Sequence, residues 1–474
     1  MKSIYKKTRC TVKINGKITK NFDYEKRVLQ GNPLSPLLFN LFINDIFEHL
    51  KSTREISLDN IKIFNMLMYA DDLIIFATSK ENLQKSLDLI SEYCDKWKLE
   101  INYKKTKCKT FTRGTQKEKH VFNIKGNNIE NIKEYKYLGI TINAKNCSFN
   151  PTLKDLSCKA TNALYAINSK IPFKLLPVKT ILKLFDACIS PILLYGSEVW
   201  APYLDTDLKK WDQTPIEKVH TQFLKRMLGV NYSSTNILVR RECGRNSLQE
   251  KILNRNINYI KYVVNKNSDS LVAQALTYEI TKQDSRVSIN DMAKQHVIKI
   301  GAYLKEGNIW SVSRNKLKIA INQYFNELWL DQSILFTKAE TYKLFKNKTG
   351  LENYLIDTSN RKHRVSYSKF RLSDHNLMIE EGRRKRPTIP REERICPLCS
   401  EELENEVHFL IKCASKYTDR NKLFTEINKL VPSFNELDPT AKFIFLLSQE
   451  NRHITKLVMD TIRKWMTACY KRHE

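Results

Sequence analysis

Two adjacent carboxylates, Asp71 and Asp72, stand between two runs of apolar residues, and nothing else in the chain constrains its fold as tightly. Ile61 to Met68 (IKIFNMLM) and Leu73 to Ala77 (LIIFA) both read as buried strands, so the pattern predicts a hairpin with Tyr69-Ala70-Asp71-Asp72 where the chain turns. Like charges at the tip of an apolar hairpin repel each other and lose hydration, and a cation offsets both costs. Mg²⁺ suits the place, being a hard ion that takes one or two protein carboxylates together with substrate phosphates. That is the arrangement of a two-metal nucleotidyl-transfer site. Taken alone, Asp-Asp is also an ordinary polar turn, and the neighbouring segments decide between the readings.

Upstream lies Val28-Leu29-Gln30-Gly31-Asn32-Pro33-Leu34-Ser35-Pro36. Ser35 reads as an N-cap with Pro36 at the first helical position. The helix predicted after it carries Leu37, Leu38, Leu41, Phe42, Ile46, Phe47 and Leu50 on one core-facing stripe. Gly31 before such a helix allows close backbone approach to a ligand, and helix N-termini favour anions. Downstream, Thr78 and Glu81 form a capping box, and Leu83, Leu87, Ile90, Cys94 and Trp97 follow at steps of three and four. Then come Trp97-Lys98-Leu99-Glu100-Ile101-Asn102, Lys104-Lys105-Thr106-Lys107, and a strand-turn-strand signal ending at Tyr137-Leu138-Gly139-Ile140.

The order QGNPLSPLLFN, YADD, WKLEINYKKTK, YLGI resembles the palm of a reverse transcriptase, and most closely those of eukaryotic non-LTR (LINE-like) retrotransposons. The run Ser190 to Trp200 (SPILLYGSEVW) and a C-terminal cysteine cluster extend the resemblance over nearly the whole chain. It implies that Asp71 and Asp72 bind the catalytic Mg²⁺ ions. It further implies that Gln30, Gly31, Tyr69 and Lys105 contact nucleotide or template, and that Tyr137, Leu138 and Gly139 form the primer grip. The plain alternatives for these residues are a turn pair, a solvated lysine and a core strand. The partners implied are an RNA template, a DNA primer or target, and deoxynucleotides.

One departure accompanies these agreements. The family's third metal carboxylate lies on an earlier palm strand, whereas the acidic residues before Gln30 are Asp23 and Glu25, on the strand leading into the motif. The expectation is therefore an N-terminally truncated reverse transcriptase with an incomplete two-metal site and weak or absent polymerase activity by itself.

Lys and Arg total 80 against 51 Asp and Glu, a net charge of +29, which favours a polyanionic partner through counterion release. Twenty-one Tyr and six Trp add faces on which bases stack. Eleven scattered cysteines point to a reducing, intracellular compartment, nucleus or cytoplasm, and no apolar run reaches the ~18 residues of a membrane span. Cys396-Pro397-Leu398-Cys399 with His408 and Cys413 has the spacing of four tetrahedral zinc ligands, closed and hence structural. It resembles the CCHC knuckle near the C-terminus of many non-LTR elements. The segment from about 390 to 420 is expected to fold only around that ion, having few apolar residues besides Val407, Phe409, Leu410 and Ile411. Between Arg361 and Arg394 the surplus of basic over acidic residues is six, and Arg383-Arg384-Lys385-Arg386 reads as a nuclear-localisation patch, a phosphate-contacting stripe or a solvated linker.

The fold class expected is α+β: a partial palm over 1–145, a helical thumb over 146–235, a helical basic connector over 236–390, a zinc knuckle over 391–420 and C-terminal helices over 421–474. Within the thumb, Ile181, Leu182, Leu184, Phe185 and Cys188 predict one apolar stripe. Two functions fit: an RNA-directed DNA polymerase, or a non-catalytic nucleic-acid-binding protein that is a remnant or a domesticated copy. The second needs only the basic surface, the thumb and the knuckle. The residues do not fix template preference, target site or oligomeric state.

Overall fold

The computed structural model describes residues 9–23, 31–50, 56–58, 61–63, 65–111, 120–143, 148–203, 207–281, 312–334, 340–346 and 349–470. Gln30 and Glu25 lie outside the described residues. Two compact units emerge, one of residues 1–135 with 142–147 and one of residues 136–141 with 148–474. Helices dominate and the sheets are small.

In the first unit the acidic hairpin forms as the alternation requires. Met66–Tyr69 pairs antiparallel with Asp72–Ile75, in the register Met66 to Ile75, Leu67 to Ile74, Met68 to Leu73 and Tyr69 to Asp72. Successive side chains alternate faces. Met66, Met68, Leu73 and Ile75 accordingly join a core with Ile46, Leu50, Ile90, Tyr93 and Cys94, while Tyr69 and Asp72 share the opposite face. The expected single strand from Ile61 to Met68 is in fact two. Ile61–Ile63 pairs with Ile56–Leu58, and Asn65, a poor strand former, lies in a bend before the hairpin begins.

The helix behind the hairpin, Lys80–Lys96, buries Leu87, Ile90 and Cys94 as the spacing predicts, with Leu83 and Trp97 partly covered. Its N-cap is Ser79 rather than Thr78: the Ser79 hydroxyl accepts from the Asn82 amide at 3.1 Å. The helix after the Gly31 turn is also displaced by one residue. Ser35 is its first helical residue, because the Asn32 side chain already accepts from the Leu34 amide at 2.9 Å and makes the turn that Ser35 was expected to make. It ends at Phe42, and a separate turn of helix spans Ile46–His49. The break splits the expected stripe. Ile43, Ile46 and Leu50 are buried, whereas Leu37, Leu41, Phe42 and Phe47 are exposed.

The second unit is helical, with a core running from Ile140 and Leu153 through Trp200 and Phe223 to Phe409, Phe443 and Trp465. Between Val178–Leu184 and Ser190–Leu193 the chain makes a π-helical turn, Phe185–Ile189. A π turn inserts one residue into the helical phase. The apolar stripe therefore continues through Ile189, which is buried, and Cys188 is left exposed, contrary to the expected spacing. Among the described residues no helix is long and apolar enough to cross a membrane.

Candidate active site and metal centre

At the hairpin tip Ala70 and Asp71 make a two-residue turn, and Ala70 takes φ = +55°. Two-residue hairpins favour such primed turns because their twist matches the strands, and a side chain at positive φ costs about 1 kcal/mol or more. Tyr69, Asp71 and Asp72 are all exposed, so the expected loss of hydration does not occur. What favours a cation is two sequence-adjacent carboxylates at a hairpin turn, both open to water and to a third party's oxygens. Their donor set fits Mg²⁺, which keeps several coordination positions for water and phosphate. Among the described residues no third acidic group gathers with them: the cluster of three or more candidate ligands that forms is the cysteine–histidine set. Asp23 sits instead opposite Arg9 in a separate two-stranded ladder.

Lys105 is exposed in the turn that follows Asn102, its amide donating to the Asn102 carbonyl at 3.1 Å. Among the described residues no hydrogen bond or ion pair joins it to the aspartates. Gly31 takes φ = +85°, with open space where a Cβ would lie, which is a left-handed turn accessible to a ligand.

Tyr137 to Ile140 forms the expected tight hairpin, Glu134–Tyr137 against Ile140–Asn143, with Leu138 and Gly139 at φ +45° and +82°. Both central residues at positive φ define the I′ turn that twists with its strands. A residue that sequence reasoning passed over holds this turn in place. The Tyr195 hydroxyl donates to the Leu138 carbonyl at 2.8 Å, and its ring lies where a Cβ on Gly139 would stand 2.9 Å from Cε1. Tyr195 is fixed in turn by Trp200, whose indole donates to the Tyr195 carbonyl at 2.8 Å. The available signal was an exposed-type aromatic directly before Gly196 in an otherwise apolar run.

Cys396, Cys399, His408 and Cys413 converge, their ligand atoms all within 4.8 Å of one another. Sγ of Cys396 lies 3.9 Å from Sγ of Cys413, and Sγ of Cys399 lies 3.3 Å from His408 Nε2. A tetrahedron with Zn–S bonds of about 2.3 Å has edges of roughly 3.8 Å, so the four groups outline a zinc-sized site. Cys396 to Cys399 close through the Ser400 amide, which donates to the Cys396 carbonyl at 2.8 Å with Ser400 at φ +59°. Outer partners orient the ligands: Glu402 lies 3.4 Å from His408 Nδ1, leaving Nε2 facing the thiols, and Arg420 donates to the Cys413 carbonyl at 2.8 Å.

The segment is not the isolated knuckle that its composition suggested. Phe409, Leu410 and Ile411 are buried in the main helical core, with Phe409 packed edge-on against Trp465 at 5.8 Å and beside Phe370 at 5.9 Å. Glu406 is buried with His375 at 3.0 Å, and Glu404 accepts from the Met378 amide at 2.7 Å. Distant helices supply the buried surface that the segment lacks within itself, so its folding does not rest on a metal alone.

In the basic patch, Arg384 caps its helix by donating to the His375 and Glu380 carbonyls, and Arg383 lies 3.5 Å from Glu380. Lys385 and Arg386 remain exposed.

Residues 1–142 match the reverse transcriptase (RNA-dependent DNA polymerase) family. The chain is 25% identical over 283 residues to the RNA-directed DNA polymerase from mobile element jockey of Drosophila melanogaster, covering 57% of this chain and 29% of the relative. It is 33% identical over 140 residues to the retrovirus-related Pol polyprotein from type-2 retrotransposable element R2DM of the same species, covering 27% and 13%. A transposon-derived protein of Caenorhabditis elegans is 29% identical over 168 residues, covering 35% of this chain and 56% of the relative. The chain thus spans under a third of the length of the first two relatives.

Proposed function

We propose that this chain, which carries a reverse transcriptase domain of the LINE-like kind in residues 1–142, acts as an RNA-directed DNA polymerase with its metal site at Asp71 and Asp72. The observation that carries this reading is the hairpin register. It sets two exposed carboxylates at the turn of a hairpin whose other face packs into a core. Divalent metal held there supplies charge neutralisation for nucleotidyl transfer on a template–primer. Asp72, on the face away from the core beside Tyr69, and Asp71 in the turn provide hard oxygen ligands while leaving room for phosphate. Lys105 offers a point charge to the phosphates of an incoming nucleotide. Gly31, with Gln30 before it, gives the backbone close approach to nucleotide or template. The Tyr137-Leu138-Gly139 turn, clamped by Tyr195, holds the primer end.

Metal-directed backbone cleavage tests this placement. With Fe²⁺ in place of Mg²⁺ and ascorbate and peroxide added, the chain is expected to be cut around residues 69–72 when template–primer and nucleotide are present. Asp71→Asn with Asp72→Asn should abolish the cut, since Asn keeps the shape and removes the charge. Undiminished cleavage in that double variant would overturn the assignment.

The cysteine–histidine site fits structural zinc. One zinc per chain is expected in protein purified under reducing conditions, lost in Cys396→Ser or Cys413→Ser and retained in Cys158→Ser, whose thiol is exposed elsewhere. Because Phe409 to Ile411 are held by the core, chelation should lower the melting temperature without fully unfolding the segment. Absence of zinc with all four side chains intact, or its retention in Cys396→Ser, would remove this site from the account.

A further inference from the structure

A cleft of about 540 Å³ opens within the helical unit between the helices Asn150–Lys170 and Pro215–Leu228 and the start of the helix Arg361–Arg371. That volume is in the range of small-ligand sites. Its lining has an unusual balance. Lys174, Arg226, Arg361 and Arg364 all face it, no Asp or Glu does, and Tyr165, Phe173 and Phe223 supply aromatic surface in a wall that is otherwise aliphatic with a few neutral polar groups.

None of the four cations has a carboxylate partner among the described residues. Arg226 donates to two neutral hydroxyls, Tyr232 at 3.0 Å and Tyr165 at 3.3 Å, and lies over the Tyr165 ring at 5.6 Å. Arg364 donates to the Thr358 and Ser359 carbonyls at 2.6 and 2.9 Å. Burial first, and the neighbouring Arg361 charge second, pull the Arg364 guanidinium below its ordinary value. Elsewhere in the same unit Arg240 is matched by Asp212 at 2.6 Å and Arg371 by Glu242 at 2.6 Å, while the buried Arg241, Arg394 and Arg420, each in a separate place, donate to amide or backbone carbonyl oxygens. Four cations gathered around one cleft without acid is what sets this place apart. The cleft therefore concentrates uncompensated positive charge beside flat apolar faces. An occupant that satisfies both carries a phosphate and a planar ring.

We infer that this cleft binds one nucleotide of a single-stranded nucleic acid, its base against Tyr165 and Phe173 and its phosphate among Lys174, Arg226, Arg361 and Arg364. The choice of a strand rests on the nucleic-acid function proposed above; a free nucleotide carries the same chemistry, and the test separates the two. Lys174 and Arg361 are exposed, so their replacement leaves the packing intact. Arg364 and Phe173 are partly or wholly packed and are left unchanged.

The full chain is irradiated with a single-stranded RNA bearing 4-thiouridine, and crosslinked peptides are identified by mass spectrometry. Crosslinks are expected within residues 161–174 and 219–227. At one fixed salt concentration Lys174→Gln with Arg361→Gln should weaken binding of that RNA roughly tenfold and suppress those crosslinks, by loss of phosphate contacts that hold the base in the cleft. Lys422→Gln with Lys456→Gln, a pair of equal charge exposed elsewhere, should leave the crosslinks in place. Crosslinking there by free 4-thiouridine monophosphate but not by the strand would overturn the inference. So would RNA binding that proceeds with no crosslink in these peptides, or that falls equally in both paired variants. A chain that binds no nucleic acid at all would overturn the inference together with the reading it rests on.

Discussion

Replacing Arg371 by Met is expected to cost the helical unit about 3–5 kcal/mol, the penalty for leaving a buried carboxylate without its partner. Arg371 is buried, its side chain 1% exposed against 0% for Glu242. Its Nε and Nη2 donate to Glu242 at 2.6 and 3.3 Å, Nη2 also to Glu352 at 2.6 Å, and Nη1 to the Leu447 carbonyl. Tyr342 and Tyr354 donate to the same Glu242 carboxylate at 2.9 and 2.8 Å. Phe345 lies under the guanidinium at 4.5 Å. Burial acts to raise the Glu242 carboxyl, but the Arg371 charge and hydrogen bonds, with Lys346 and Tyr354, outweigh it and hold that carboxyl below its ordinary value.

A depressed carboxyl contributes stability that is present above its unfolded value, about 4.3, and is lost as pH falls through the folded value. In Arg371→Met burial acts on Glu242 against only Lys346 and the tyrosines, so the gap between wild type and variant should narrow as pH falls and the carboxyl takes up a proton. Chemical denaturation at pH 7 and pH 3.5 measures both effects. The double change Arg371→Met with Glu242→Leu should recover much of the loss, because no charge is then left unpaired. A loss under about 1 kcal/mol for Arg371→Met at pH 7, the value of an exposed pair, would contradict this network.

That network marks where sequence reading ends. Arg371 and Glu242 are 129 positions apart, and nothing in the run of residues around either indicates the other. The acidic hairpin was legible because its signals are local: period-two alternation, two carboxylates at a turn, and a helix with regular apolar steps behind it. The cysteine–histidine site was legible for the same reason, since its four ligands fall within eighteen residues, from Cys396 to Cys413. Its surroundings were not, because Phe409 packs against Phe370 and Trp465, which sequence places far away. Where local signals competed, the reading slipped by one residue. Asn32 formed the turn ahead of Ser35, Ser79 capped in place of Thr78, and a π turn moved the buried position from Cys188 to Ile189. Tyr195 escaped because its role is a single hydrogen bond to a backbone carbonyl 57 residues away.

Incorporation of a radiolabelled deoxynucleotide by the full chain, on an RNA template with a DNA primer in Mg²⁺, tests the central claim most directly. Wild type is expected to extend the primer weakly but measurably, since two carboxylates without a third acidic group among the described residues hold the metals less firmly. Asp71→Asn and Asp72→Asn should each lower the rate by roughly 10²–10⁴-fold, the several kcal/mol that a metal supplies to charge in the transition state. Template–primer binding should stay intact in both variants, because neither substitution removes a Lys or Arg that could neutralise phosphate. Equal incorporation by wild type and both variants, whether substantial or nil, would contradict a metal-dependent polymerase site at this hairpin and leave a nucleic-acid-binding protein without catalysis.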